Sequence, residues 1–221
     1  MPRPEAATGQ ERAPLSRERV LRAAVEVADV GGISGLTIRS LAQELGVKPM
    51  SVYHHVANKD EILDGIVDIV FSEIELPTAE GEWLSEIHKR AGSARRVLRR
   101  HPWAIGLLES RTSPGPATLR HHDANIAVLR AAGFSVEMTA HAYALIDSFV
   151  YGFALQEAAL PFESDTLAEV AAPMMEMFAA GEYPHLVELT TEFVLQPGYD
   201  FGNEFEFGLD QILEGLSRSL P

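Results

Sequence analysis

The chain has 221 residues, a formal net charge of −14 at pH 7 and no cysteine, which excludes disulfides, thiolate metal sites and a cysteine nucleophile. No apolar run reaches about 18 residues, so we expect no membrane-spanning segment. The N-terminal segment lacks the apolar stretch of a secretory signal, and we expect a cytoplasmic protein.

The acidic charge is concentrated outside one short segment. Residues 76–221 contain ten basic and twenty acidic residues, whereas residues 36–59 contain three basic residues and one acid. Long-range electrostatics attract an acidic protein poorly to DNA. If residues 36–59 read DNA, we therefore expect weak binding unless the protein dimerises and matches its site.

The chain opens with an arm and a first helix. Residues 1–15 are rich in Pro, Ala and Arg without periodicity, which predicts disorder. A helix is predicted from the capping residue Ser16 to about Val30, where Gly31-Gly32 end it.

Residues 36–59 predict two short helices joined by a tight turn. Thr37 can cap the first helix, and Gly46 suits the left-handed residue that ends it. One apolar face has the spacing i, i+3, i+4 and i+7 and consists of Ile38, Leu41, Ala42 and Leu45.

The second helix of this pair has little apolar surface. Pro49 suits a first helical position, and only Val52 and Val56 are clear core positions. The residues left facing outward are Lys48, Pro49, Met50, Ser51, Tyr53, His54 and His55. Such a helix fits the major groove of DNA. The alternative is a solvated hairpin within an ordinary helical bundle.

The rest of the chain predicts further helices and no strands. A helix begins at Asn58, with Glu61 in capping-box position, and Leu76-Pro77 end it. Further helices are predicted at about 80–100, 103–111, 116–132, 136–160, 165–180, 183–195 and 203–219, separated by Pro- and Gly-rich turns.

The pattern resembles the TetR family of bacterial transcriptional regulators. The matching residues are LTIRSLA at 36–42, GV at 46–47, VYHHV at 52–56 and NK at 58–59. More loosely, FEFGLD at 205–210 resembles the tetracycline-repressor-like branch. The resemblance implies a homodimer, a small-molecule pocket in the C-terminal domain, and repression relieved by ligand.

The resemblance also implies which side chains meet DNA. Thr37 and Arg39 would contact phosphates, and Tyr53, His55 and Lys59 would reach the backbone. The residues in or near the groove would be Lys48, Pro49, Met50, Ser51 and His54.

The C-terminal domain offers candidates for a ligand pocket, since such pockets are mostly apolar with a few polar groups. The apolar candidates, which could also be plain core, are Trp103, Phe134, Phe149, Met174, Met177 and Phe178. His141, Tyr143 and Asp147 interrupt an apolar helix, and a buried Asp147 would need a partner.

Three polar groupings are expected to be surface features. Adjacent helical residues point about 100° apart, so His121-His122-Asp123 are expected to be solvated and not to bind a metal. His185, Glu188 and Glu192 share a helix face that we expect to be exposed. The arginines at 95–100 are expected to form a charged outer face balanced by acids. We expect no metal, cofactor or catalytic residue.

We therefore predict an all-α protein with two domains. A three-helix DNA-binding domain at 16–62 would precede a larger helical bundle at 63–221, which binds ligand and forms a homodimer through 136–160 and 203–219. Its partners would be a double-stranded, pseudo-palindromic operator and a small effector, without a membrane. The alternatives are a C-terminal domain that binds a protein, and a helical-bundle enzyme, for which no Glu-x-x-His pair or nucleophile constellation is present.

Overall fold

The computed structural model describes residues 14–108, 110–161, 166–178 and 181–220, and within these ranges the chain is helical without strands. The all-α prediction is therefore confirmed. Two compact units divide between Ile66 and Val67, four residues beyond the boundary inferred from the sequence. The arm expected at 1–15 lies almost entirely outside the described residues.

The smaller unit contains α1 (Arg17–Gly35), α2 (Ile38–Leu45), α3 (Pro49–Val52) and the start of α4 (Lys59–Glu73). Its core is built from the helical stripes seen in the sequence and includes Val20, Ala24, Leu41, Val52 and Ile66. Burying each larger side chain contributes about 1.5–3 kcal/mol. This small core holds the α2–α3 pair against α1.

The first helix ends at the predicted glycines. The span Arg17–Gly35 contains two helical segments joined by a kink at Gly32, whose φ of 63° and ψ of −177° are not helical. A positive φ of this kind suits glycine because it has no Cβ. Gly32 therefore separates the first helix from the short helical segment that follows it.

The larger unit contains the remaining helices, of which α7 is central. They are α5 (Trp83–Arg100), α6 (Pro116–Ala131), α7 (Val136–Ala159), α8 (Leu167–Phe178), α9 (Pro184–Leu189) and α10 (Asn203–Ser217). Helix α7 packs against α5, α6 and α10. No helix among the described residues is long and apolar enough to cross a membrane.

The predicted helix at 103–111 is wrong. Among the described residues of this segment, a 3₁₀ turn (Pro102–Ala104) is followed by turns in which the N–H groups of Leu107 and Leu108 donate to the carbonyl of Ala104. A π-helical turn, Thr190–Val194, extends α9.

Arg95 ties α10 to the core of the larger unit. Its guanidinium donates twice to the carboxylate of Glu157, at 3.0 and 2.6 Å, and once to the carbonyl of Gly202, at 3.0 Å. It also lies 5.1 and 4.9 Å from the ring centroids of Phe153 and Phe205. One side chain therefore joins α5, α7 and the start of α10.

Candidate DNA-reading surface and effector site

The α2–α3 turn is held by the local interactions that the sequence suggested. The Thr37 hydroxyl accepts the Ser40 N–H at 3.0 Å, and the Ser40 hydroxyl accepts the Thr37 N–H at 2.9 Å, which is a reciprocal cap. Gly46 ends α2 in the left-handed conformation, at φ 66° and ψ 35°. The start and the end of α2, and with them the approach of the chain to α3, are therefore fixed by interactions within this segment.

Helix α3 is a single turn anchored from one side. Pro49 occupies its first position, and Val52 and Val56 are buried. In contrast, Met50 is 68% and Tyr53 45% exposed. Large apolar and aromatic side chains on so short an element contribute little to the core, so this surface is available to a partner.

None of the ten residues expected to contact DNA is fully buried. Ser51 and His55 are half-buried. The other eight are exposed: Thr37, Arg39, Lys48, Pro49, Met50, Tyr53, His54 and Lys59.

The beginning of α4 is secured by Asn58 and Glu61. Asn58 Oδ1 accepts the Glu61 N–H at 2.8 Å. The Glu61 carboxylate accepts the Ala57 N–H at 2.7 Å and pairs with Arg17 at 3.0 Å. The hydrogen bond from Ala57, followed by that from Arg17, lowers the pKa of Glu61. Lys59 therefore starts a well-capped helix beside α3.

The core of the larger unit contains a polar group that we term the Arg90 cluster: Arg90, His121, Asn125, Tyr143 and Asp147. Arg90 is 1% exposed, and its guanidinium pairs with Asp147 Oδ1. Arg90 Nε also donates to His121 Nε2 at 3.2 Å. The cluster therefore joins α5, α6 and α7 through buried polar contacts.

Burial sets the charge state of this cluster. Burial, and then the positive charge of Arg90, lower the pKa of His121 to about 3, so His121 is neutral near pH 7. Burial, and then the charge of Asp147, raise the pKa of Tyr143. The fixed charges are those of Arg90 and Asp147, which balance each other.

The predicted pocket residues do not converge on one place. Asp147 lies in the Arg90 cluster. His141 lies on the outer face of α7 near Glu137 and is not part of that cluster. Phe134 packs edge-on against Trp83, whereas Phe149 stacks on Phe205. Trp103 lies beside His101. The side chains of Met174, Met177 and Phe178 lie outside the described residues.

The sequence interpretation missed Arg90, although a signal was present. Arg90 occurs at the helical spacing of the buried residues Ile87, Ala91, Ala94 and Val97. A charged residue at a core position requires a partner.

The polar groupings expected at the surface have mixed outcomes. His121 is fully buried, so its expected solvation is wrong. No group of three or more His, Asp or Glu side chains in the described part of the chain could hold a metal ion. His185 is exposed, as expected. The arginine run is balanced by acids, as expected, through Arg95–Glu157, Arg96–Glu75 and Arg100–Glu73. Its expected outer position is wrong for Arg95, whose side chain is only 15% exposed.

Asp68 of α4 supplies the cap that α6 lacks. The N-cap residue Gly115 has no side chain to cap α6. Asp68 Oδ1 instead accepts both the N–H and the hydroxyl of Thr118, at 2.8 and 3.0 Å. A Cβ at position 115 would lie 2.3 Å from the Asp68 carboxylate carbon, so a larger residue there would displace this carboxylate. Helix α6, which carries His121 and Asn125, is thereby attached to α4.

A helix-turn-helix that exposes its second helix, joined to a separate helical unit whose apolar core contains a buried polar cluster, defines a two-domain DNA-binding regulator. Residues 20–66 match the tetR family of bacterial regulatory proteins, and residues 76–220 match the tetracycline repressor-like C-terminal domain. The chain belongs to the TetR family. It is a ligand-responsive transcriptional repressor and not an enzyme, and it binds operator DNA and a small-molecule ligand.

Three relatives illustrate the similarity. The transcriptional repressor DrrR1 of Streptomyces coeruleorubidus is 34% identical, over 91% of this chain and 77% of its own. The class C tetracycline repressor of Escherichia coli is 30% identical, over 92% and 91%. The structure of ActR from Streptomyces coelicolor with actinorhodin has a TM-score of 0.78 and 30% identity, and covers 95% of this chain and 98% of that one.

Proposed function

We propose that the chain acts as a homodimer that presents two copies of α3 to a pseudo-palindromic operator. The observation that carries this proposal is the exposure of Met50 and Tyr53 on a single helical turn anchored by Val52 and Val56. Half-sites one DNA turn apart require the two reading helices to be about 34–36 Å apart. Two matched half-sites would also offset the poor attraction of this acidic protein to DNA.

In this proposal the exposed side chains divide into two groups. Arg39, Tyr53 and Lys59 contact the phosphate backbone and position the protein, because they carry charge or a hydroxyl donor, with Thr37 and His55 beside them. Lys48, Met50, Ser51 and His54 approach the base edges, with Pro49 at the start of the reading helix. Lysine can donate to guanine acceptors, whereas methionine can contact a thymine methyl group.

We place the dimer contact on the outer faces of α7 and α10. The exposed face of α7 carries Ala140, Ala144 and Ser148 at a spacing of four residues, so another helix can approach closely. Leu155 on α7 and Phe207 on α10 are 58% and 64% exposed. Burying these faces in a four-helix contact would remove their apolar surface from water.

We place the effector at the Arg90 cluster. ActR is structurally similar over nearly the whole chain and has been crystallised with actinorhodin and with (S)-DNPA. By analogy, this chain would take a small apolar or amphipathic effector. An effector that contacts His121 or Asn125 would move α6. The contact between Asp68 and Thr118 would transmit that movement to α4, which begins at Lys59. Release from DNA requires only that the effector prefer the altered arrangement by a few kcal/mol.

The experiment begins with operator fragments recovered from random DNA by the purified protein. Tyr53→Ala and Lys59→Ala should weaken operator binding in fluorescence anisotropy without changing the dimer mass, and Lys59→Ala should lower the salt slope by about one unit. Lys89→Ala is the matched control, because Lys89 lies in the larger unit and pairs with Glu86. Unchanged affinity in both Tyr53→Ala and Lys59→Ala, or a monomer at micromolar concentration, would contradict the proposal.

A further inference from the structure

A cleft of about 370 Å³ opens on the larger unit, between the C-terminal ends of α5 and α7 and the segment that leads into α10. This volume lies within the range of small-molecule sites, about 300–1,000 Å³. The described residues that line the cleft are distinct from those of the Arg90 cluster. The cleft is therefore a separate candidate site, and its side chains decide what it can bind.

Two guanidinium groups share one carboxylate at the wall of this cleft. Arg95 uses both oxygens of Glu157, at 2.6 and 3.0 Å, and also donates to the carbonyl of Gly202. The Nε of Arg99 lies 3.9 Å from Glu157 Oε1, which is beyond hydrogen-bond distance. Two cations and one anion meet here, so this wall of the cleft carries an excess positive charge.

Arg99 differs from the neighbouring arginines of its run. Arg96 and Arg100 each pair with an acid of their own, at 3.0 and 2.6 Å. Among the described residues, the acid that lies within reach of Arg99 is Glu157, which Arg95 already occupies. A guanidinium presents its N–H donors in a planar fork that matches the two oxygens of a carboxylate. The donors of Arg99 are therefore available to a carboxylate that enters the cleft.

The other walls of the cleft can hold an apolar body. Pro102, Leu160 and Leu167 line it together with Phe201. The ring of Phe201 stacks on that of Phe153, with 4.8 Å between the ring centroids. A stacked ring offers a fixed apolar face. A ligand that joins a carboxylate to an apolar ring or chain would therefore match both kinds of wall.

One acid opposes an anion in this cleft. Asp200 also lines it and is exposed, and its Oδ1 accepts the Gly202 N–H at 2.7 Å. Water and salt screen an exposed charge, so Asp200 weakens the binding of an anion without preventing it. A cation would gain the attraction of Asp200 but would meet the excess positive charge beside Arg99.

We propose that this cleft is a second ligand site, which binds an organic carboxylate with an apolar body through Arg99. The carboxylate accepts hydrogen bonds from the guanidinium of Arg99, and the apolar body lies against Phe201 and Leu160. The site lies outside the Arg90 cluster, so it goes beyond the proposed function and does not depend on the placement of the effector there.

The test compares four small probes with the full-length protein by isothermal titration calorimetry: benzoate, benzamide, benzylamine and acetate. Millimolar affinity is expected for benzoate, given its size. Benzoate should bind at least about fivefold more tightly than its neutral analogue benzamide and than the cation benzylamine, because only benzoate forms charge-assisted hydrogen bonds with Arg99. Acetate should bind at least about tenfold more weakly than benzoate, because it lacks the apolar ring.

Three variants locate the site, and two of them act in opposite directions. Arg99→Gln removes the donor fork, so the benzoate-to-benzamide affinity ratio should fall to about one. Asp200→Asn removes the opposing charge and should raise the affinity for benzoate at least about twofold while leaving that for benzamide unchanged. Arg96→Gln is the matched control, because Arg96 lies on the same helix, is similarly exposed and pairs with Glu75; it should keep the ratio of the parent.

The inference is overturned if benzoate shows no saturable binding at millimolar concentration, or if benzamide binds as tightly as benzoate. It is also overturned if Arg99→Gln keeps the preference, because benzoate would then bind elsewhere, for example at the Arg90 cluster. A preference that Arg99→Gln abolishes, Arg96→Gln keeps and Asp200→Asn strengthens supports a carboxylate site in this cleft.

Discussion

Replacing Asp68 should weaken the larger unit by an amount that its two contacts define. Thr118 is 4% exposed, and both its N–H and its hydroxyl donate to Asp68 Oδ1. Asp68→Ala leaves two buried donors without this acceptor, at about 1–3 kcal/mol each, so we expect a loss of about 2–6 kcal/mol in the free energy of unfolding. Asp68→Asn keeps an acceptor and loses mainly the interaction of the charge with the α6 dipole, about 0.3–1 kcal/mol.

Tryptophan fluorescence during urea unfolding measures this change selectively, because both tryptophans, Trp83 and Trp103, lie in the larger unit. Gly115→Ala should resemble Asp68→Ala, since the new Cβ displaces the carboxylate. Asp123→Ala, an exposed carboxylate on α6, is the control and should stay within about 0.5 kcal/mol of the parent. If Asp68→Ala is no more destabilising than Asp123→Ala, Asp68 does not secure α6 and the proposed route to α4 fails.

Two further predictions concern the cap of α2 and the buried histidine. Thr37→Ala removes the reciprocal cap with Ser40 and should destabilise the smaller unit by about 1 kcal/mol in thermal unfolding followed by circular dichroism. Thr37→Ser keeps the hydroxyl and should recover most of that loss; equal effects would show that the cap contributes nothing. His121 has a folded pKa of about 3 against an ordinary value of 6.5, so between these values the unfolded chain binds more protons and stability falls as the pH falls. The slope, at most about 1.4 kcal/mol per pH unit, should disappear in His121→Gln, and an identical pH profile in that variant would contradict a buried neutral His121.

The α2–α3 pair and its exposed face could be predicted from sequence because their determinants are local. The cap at Thr37, the left-handed turn at Gly46 and Pro49 at the start of α3 all lie within 13 residues and leave distinct signals. The anchors Val52 and Val56 follow directly from helical spacing. In such a segment, residue type and spacing are enough to identify the exposed face.

The Arg90 cluster and the cap of α6 could not be assembled in the same way because their contacts are distant along the chain. Arg90 and Asp147 are 57 residues apart, and Asp68 and Thr118 are 50 apart. Periodicity shows that a polar residue occupies a core position but does not show which partner neutralises it. For this reason Asp147 was recognised as needing a partner, whereas Arg90 and the burial of His121 emerged only from the packing of α5, α6 and α7.

The brevity of α3 has a consequence for how such regulators diversify. Val52 and Val56 hold the turn in place, while the neighbouring outward side chains take almost no part in the core. Substitutions at Met50 or His54 can therefore accumulate with little thermodynamic penalty, and a duplicated copy of this chain could acquire a new target sequence without first gaining extra stability.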